Sequence, residues 1–72
     1  MNKNLLQSLL AKYGDTQQTL ANLLGLSLSR TNAKINSKDG AEFTQTEIGI
    51  IKQHYNLTPG EINSIFFTMK VT

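Results

Sequence analysis

The chain has 72 residues, 39% of them hydrophobic, with no Cys, no Trp and one Pro. Seven Lys/Arg against five Asp/Glu give a net charge of +2, with His54 neutral. That length holds one domain, residues 1–72, whose thin core buries roughly 60% of the unfolded surface, so self-association would help it. The same counts leave little for catalysis. There is no cysteine nucleophile and no cysteine metal site, and the lone histidine has no second one to share a zinc ion. No cofactor motif is present. The expectation is a non-enzymatic domain with no metal. Absence of disulfides fits a reducing cytoplasm. Apolar runs such as Ile50-Ile51 or Ile65-Phe66-Phe67 are far short of a membrane span. The N-terminus lacks the long apolar stretch of a signal peptide.

Charge is unevenly placed. Residues 1–36 carry Lys3, Lys12, Arg30 and Lys34 against Asp15, a surplus of three. Residues 37–72 carry Lys38, Lys52 and Lys70 against Asp39, Glu42, Glu47 and Glu61, a deficit of one. The basic half could face DNA or an acidic protein. A surplus this small would release few counterions, so it predicts modest DNA affinity on its own.

Apolar spacing predicts five short helices. Leu5, Leu6, Leu9, Leu10 and Tyr13 mark the first, started by Asn2 or Asn4 and followed by Gly14. Asp15 or Thr16 caps the second, which turns Leu20, Ala21, Leu23 and Leu24 inward and ends at Gly25. Ser27 caps a third through about Ile35. Its surface of Ser29, Arg30, Thr31, Asn32 and Lys34 is polar, so its order must come from its neighbours or a partner. Residues 36–42 form a loop turning at Asp39-Gly40. Thr44-Gln45-Thr46-Glu47 is a capping box, with Phe43 and Ile48 at the staple positions; Ile48, Ile51 and Tyr55 form the stripe of the fourth helix. Thr58-Pro59-Gly60-Glu61 repeats the device, with Leu57 and Ile62 as its staple pair. Ile62, Ile65 and Phe66 line the fifth helix, and residues 68–72 read as an extended tail. Glu47 and Glu61 are committed to caps, and His54 lies off its helix's buried stripe. No linker or repeat interrupts the order, so the fold class is all-α, compact and built on local contacts.

The stretch Gln17 to Asn36, QQTLANLLGLSLSRTNAKIN, resembles the helix-turn-helix of the lambda-repressor and Cro class. Ala21 stands where that pattern has a small residue and Gly25 where it turns; Leu20, Leu24 and Leu26 are its apolar anchors. Two helices crossing at about 90–120° leave no room for a side chain at the contact and need a left-handed residue in the turn. Ser29-Arg30-Thr31, Glu42 to Ile48 and Ile65 to Val71 extend the resemblance to small regulators of temperate phages, Cro-like proteins and anti-repressors of the lysis–lysogeny switch. The pattern's two later apolar positions hold Thr31 and Lys34, which predicts a rotated or loosely seated third helix.

The resemblance implies a five-helix, lambda-repressor-like domain with its helix-turn-helix at 16–36. It implies that Gln17 opens the second helix as a phosphate clamp. Leu28, Ser29, Asn32 and Ala33 would face a partner, with Ser27, Arg30 and Asn36 alongside and Ala21, Gly25 and Leu26 holding the turn. Arg30 or an Asn could read a base edge, whereas Leu28 and Ala33 at best touch a thymine methyl. A leucine at a groove-facing position suits a protein partner better. The leading expectation is therefore an anti-repressor, in the cytoplasm of a bacterial host, that binds the DNA-binding domain of a phage repressor and alters operator binding. The alternative is a Cro-type protein that binds operator DNA itself.

Overall fold

The computed structural model describes residues 1–67. Among them are five α-helices and one short 3₁₀ turn, with no strand: α1 Lys3–Lys12, α2 Gln17–Leu24, α3 Leu28–Ile35, the turn Lys38–Gly40, α4 Gln45–Tyr55 and α5 Pro59–Phe66. The tail expected at 68–72 lies outside the described residues.

Each helix begins on a side-chain cap. Asn2 accepts from the Leu5 amide, Thr16 from Thr19, Ser27 from Arg30, Thr44 from Glu47 and Thr58 from Glu61. Each such bond satisfies an amide that the first helical turn would otherwise leave without a partner, and contributes about 1 kcal/mol. Of the alternatives for the first two helices, Asn2 and Thr16 are the caps. Thr16 and Thr19 also close a capping box, as do Thr44 with Glu47 and Thr58 with Glu61. Gly25 ends α2 at φ 70°, and its left-handed backbone turns the chain into α3 within three residues.

α2 packs chiefly on α3, α1 on α5, and α4 on both α2 and α5. The core gathers Leu6, Leu9, Leu10, Leu20, Ile35, Ile51, Tyr55, Leu57, Ile62 and Ile65. Leu23, Leu24, Phe43, Ile48 and Phe66 pack on its edge, half-buried. Leu6, Leu20 and Ile51 are wholly enclosed, and each contributes about 1.5–3 kcal/mol by leaving water. The periodic stripe of α1 is narrower than its sequence implies: Leu5 and Tyr13 are exposed. A ten-residue helix over so small a core has room for one face only. Tyr13 instead lies on Tyr55, ring centroids 5.0 Å apart.

Asp15 does more than stand beside a cap. It accepts a 2.6 Å hydrogen bond from the Tyr55 hydroxyl and so ties the α1–α2 turn to the end of α4. Burial, then the neighbouring Asp15 carboxylate, push the Tyr55 phenol well above its ordinary value of 10. The native state thus holds this proton more tightly than the unfolded chain does. The stabilisation is complete below pH 10 and is lost as pH rises beyond it. Replacing Tyr55 by Phe should lower stability by about 1.5–2 kcal/mol in denaturant unfolding at pH 7. It should also flatten the alkaline loss. A variant that unfolds like the wild type at both pH values would show that this bond contributes nothing net.

Candidate functional site

The third helix is the part of the fold whose seating its composition leaves least obvious. It turns Thr31, Lys34 and Ile35 inward. Thr31 is 0% exposed, and its hydroxyl donates to the Ser27 carbonyl at 3.0 Å. Lys34 is 6% exposed, and its ammonium donates to Glu47 Oε1 at 2.6 Å. The loose seating expected from these two polar residues does not occur. Each carries its own hydrogen-bond partner into the interior, so the polarity costs little. Lys34–Glu47 is the one ion pair among the described residues. Glu47 Oε1 also accepts from the Thr44 amide at 2.9 Å, so one oxygen serves both the cap of α4 and the docking of α3. Burial alone would raise the Glu47 carboxyl, but the Lys34 ammonium and the Thr44 amide outweigh it and hold the group below its ordinary 4.5.

With that face inward, the opposite face of α3 meets solvent. Leu28 is 44% exposed. Gln17, Leu28, Ser29, Asn32, Ala33 and Lys38 line an open groove of about 530 Å³. Five of the eight residues expected at a partner surface therefore meet in one place. Of the other three, Ser27 is spent on the α3 cap. Arg30 is exposed outside the groove lining. Asn36 lies one hydrogen bond away from it. Ala21 is fully buried on α2, Gly25 makes the turn and Leu26 is half-buried behind it.

A chain of side-chain bonds crosses this face. Lys3 Nζ donates to Asn36 Oδ1 at 3.1 Å. Asn36 Nδ2 donates to Asn32 Oδ1 at 3.1 Å, and Asn32 Nδ2 to Gln17 Oε1 at 3.0 Å. Three helices, α1, α3 and α2, are joined by it. Gln17 is therefore not a free side chain at the opening of α2; its carbonyl oxygen is engaged by Asn32.

The cations of the face differ from those counted along the chain. Lys34 is neutralised by Glu47. Lys12 lies near Tyr13, its ammonium 5.7 Å from the ring centroid. Those left near α3 are Lys3, Arg30 and Lys38, and Lys38 comes from the half with the acidic balance. Sequence reasoning placed Lys38 in a loop and passed it over. It follows a left-handed residue, Ser37 (φ 51°), which no glycine marks.

Elsewhere the chain offers less. A groove between α1 and α5 is lined by Leu5, Leu9, Lys12, Glu61 and Ile65 among others, and no expected site residue reaches it. His54 is exposed on α4, with its ring edge-on to Tyr55. Among the described residues no three His, Cys, Asp or Glu side chains gather as a metal site, and no helix is long and apolar enough to cross a membrane. No protein-family model, no curated protein and no solved structure matches the chain.

Proposed function

We propose that this chain is a non-enzymatic regulator of the temperate-phage type, in which α2 and α3 act as a helix-turn-helix. In this reading its target is the N-terminal DNA-binding domain of the phage repressor, met in the cytoplasm of the bacterial host. The hetero-complex blocks or alters operator binding. The observation that carries the reading is Leu28, a large apolar side chain left 44% exposed on the first turn of α3, beside the exposed polar residues Ser29, Arg30 and Asn32. A leucine gains nothing from facing phosphate or a base edge that offers hydrogen bonds. Against an apolar side chain of another protein it becomes an anchor. The surrounding residues fit a protein contact as well, since Ala33 adds a second apolar side chain and Gln17, Ser29 and Asn32 add polar ones to the same lining.

The second reading, direct binding of operator DNA, draws on the amides of Gln17 and Asn32 and on the exposed Arg30. The two separate in a gel shift run with and without the repressor domain. An anti-repressor leaves operator DNA unshifted alone and removes or alters the repressor's band. An operator binder shifts the DNA by itself, and its affinity falls steeply as salt rises. Leu28→Ala should weaken the repressor complex by about 1–3 kcal/mol. Unchanged repressor binding by that variant would remove Leu28 from the contact. Tight sequence-specific binding of the purified wild type to DNA would reverse the order of the readings.

A further inference from the structure

The groove beside α3 has a chemical polarity that narrows what can occupy it. Leu28 and Ala33 are the apolar members of its lining, and Lys38 is the charged one. No acidic side chain lines it. Lys3 is joined to it through Asn36 and Asn32, and Arg30 is exposed on the same helix. Three other carboxylates have partners or surroundings of their own. Asp15 accepts from Tyr55, Glu47 accepts from Lys34, and Glu42 lines a different pocket, with Phe43 and Phe66. Asp39, next to Lys38 in the 3₁₀ turn, stays outside the lining. The groove thus combines two apolar side chains with a cation in one lining.

Resting on the anti-repressor reading, we propose that the groove seats a patch of the repressor domain in which a carboxylate flanks an exposed aliphatic side chain, the aliphatic group covering Leu28 and Ala33 and the Asp or Glu pairing with Lys38. Charge complementarity selects this occupant. A wholly cationic DNA-reading surface would set like charges against Lys38, Lys3 and Arg30, which costs affinity and slows encounter. A bare phosphate backbone would satisfy Lys38 but leave Leu28 against a polar surface with nothing to gain.

The test is calorimetric titration of the purified repressor DNA-binding domain into wild-type, Leu28→Ala and Lys38→Glu chains, at about 50 mM and about 300 mM salt. Lys38 is exposed, so matching thermal unfolding of Lys38→Glu and wild type confirms that the fold is intact. The proposal expects Lys38→Glu to weaken binding about tenfold at low salt and by clearly less at high salt, as screening removes the charge contribution. Leu28→Ala should weaken it at both salts alike. If Leu28→Ala weakens the complex and Lys38→Glu leaves it unchanged or tightens it, the carboxylate partner is overturned while the anti-repressor reading stands. No complex with the wild type overturns both. A control titration with operator duplex that binds more tightly than the repressor domain, and that Lys38→Glu weakens, makes the occupant nucleic acid and overturns the proposal.

Discussion

Glu47→Gln should destabilise the domain by about 3 kcal/mol, lowering the midpoint of thermal unfolding by about 15 °C. Glutamine keeps the capping-box geometry, because its carbonyl oxygen still accepts from Thr44, so the start of α4 survives. Only the charge is lost. The Lys34 side chain, 6% exposed, then sets its charge opposite a neutral group. Leaving one member of a buried pair uncompensated costs far more than the intact pair contributes. Lys34→Met should be milder, at about 1–2 kcal/mol, because the carboxylate retains the Thr44 amide. The double variant should be more stable than Glu47→Gln alone, since methionine removes the orphaned charge at similar length. Folding lowers the Glu47 carboxyl below its ordinary 4.5, so the native state binds fewer protons there. The stabilisation is complete above that value and disappears as pH falls through the native value. Wild type should therefore lose stability in acid more steeply than Glu47→Gln. Chemical denaturation across pH 3–7 measures all of this. A Glu47→Gln variant within about 0.5 kcal/mol of wild type at pH 7 would mean that the pair does not hold α3 in place.

Ala21→Leu should be comparably damaging. Ala21 is fully buried on α2, the helix that packs most closely on α3. A leucine adds three carbons at a position with no exposure to solvent, so the helices must separate or the side chain must leave its preferred rotamer, at about 3 kcal/mol. The effect on binding should exceed the effect on stability, because a displaced α3 carries Leu28 and Ser29 out of register with Gln17 and Lys38. Ala21→Gly is the control. It costs about 1 kcal/mol of helix propensity, introduces no clash, and should bind the repressor domain like wild type. Equal binding by Ala21→Leu and Ala21→Gly would show that the α2–α3 spacing does not govern the surface.

Local signals were the legible ones. Caps at Ser27, Thr44 and Thr58 depend on a side chain reaching an amide three residues on, so sequence spacing contains the whole interaction. The seating of α3 is different. Thr31 and Lys34 read as polar surface because the group that makes Lys34 burial possible lies thirteen residues away on another helix. Leu5 and Tyr13 fail in the opposite direction: helical periodicity marks them as core, but the domain is too small to cover them. Most of the groove was visible because α3 presents it in a single turn and a half. Lys38 was not, because it lies past the end of α3, beyond a left-handed residue, Ser37, that no glycine marks.

The run of bonds from Lys3 through Asn36 and Asn32 to Gln17 bears on the thermodynamics of docking. Immobilising a rotamer-rich side chain on association costs roughly 0.5–1.5 kcal/mol. Here the amides are already held in one arrangement by one another, so much of that entropy is lost on folding rather than on binding. A partner meets a rim that is stiff at its amides and free to adjust at Leu28 and Lys38. Adaptation on encounter is thereby confined to the two side chains that would supply the apolar contact and the charge.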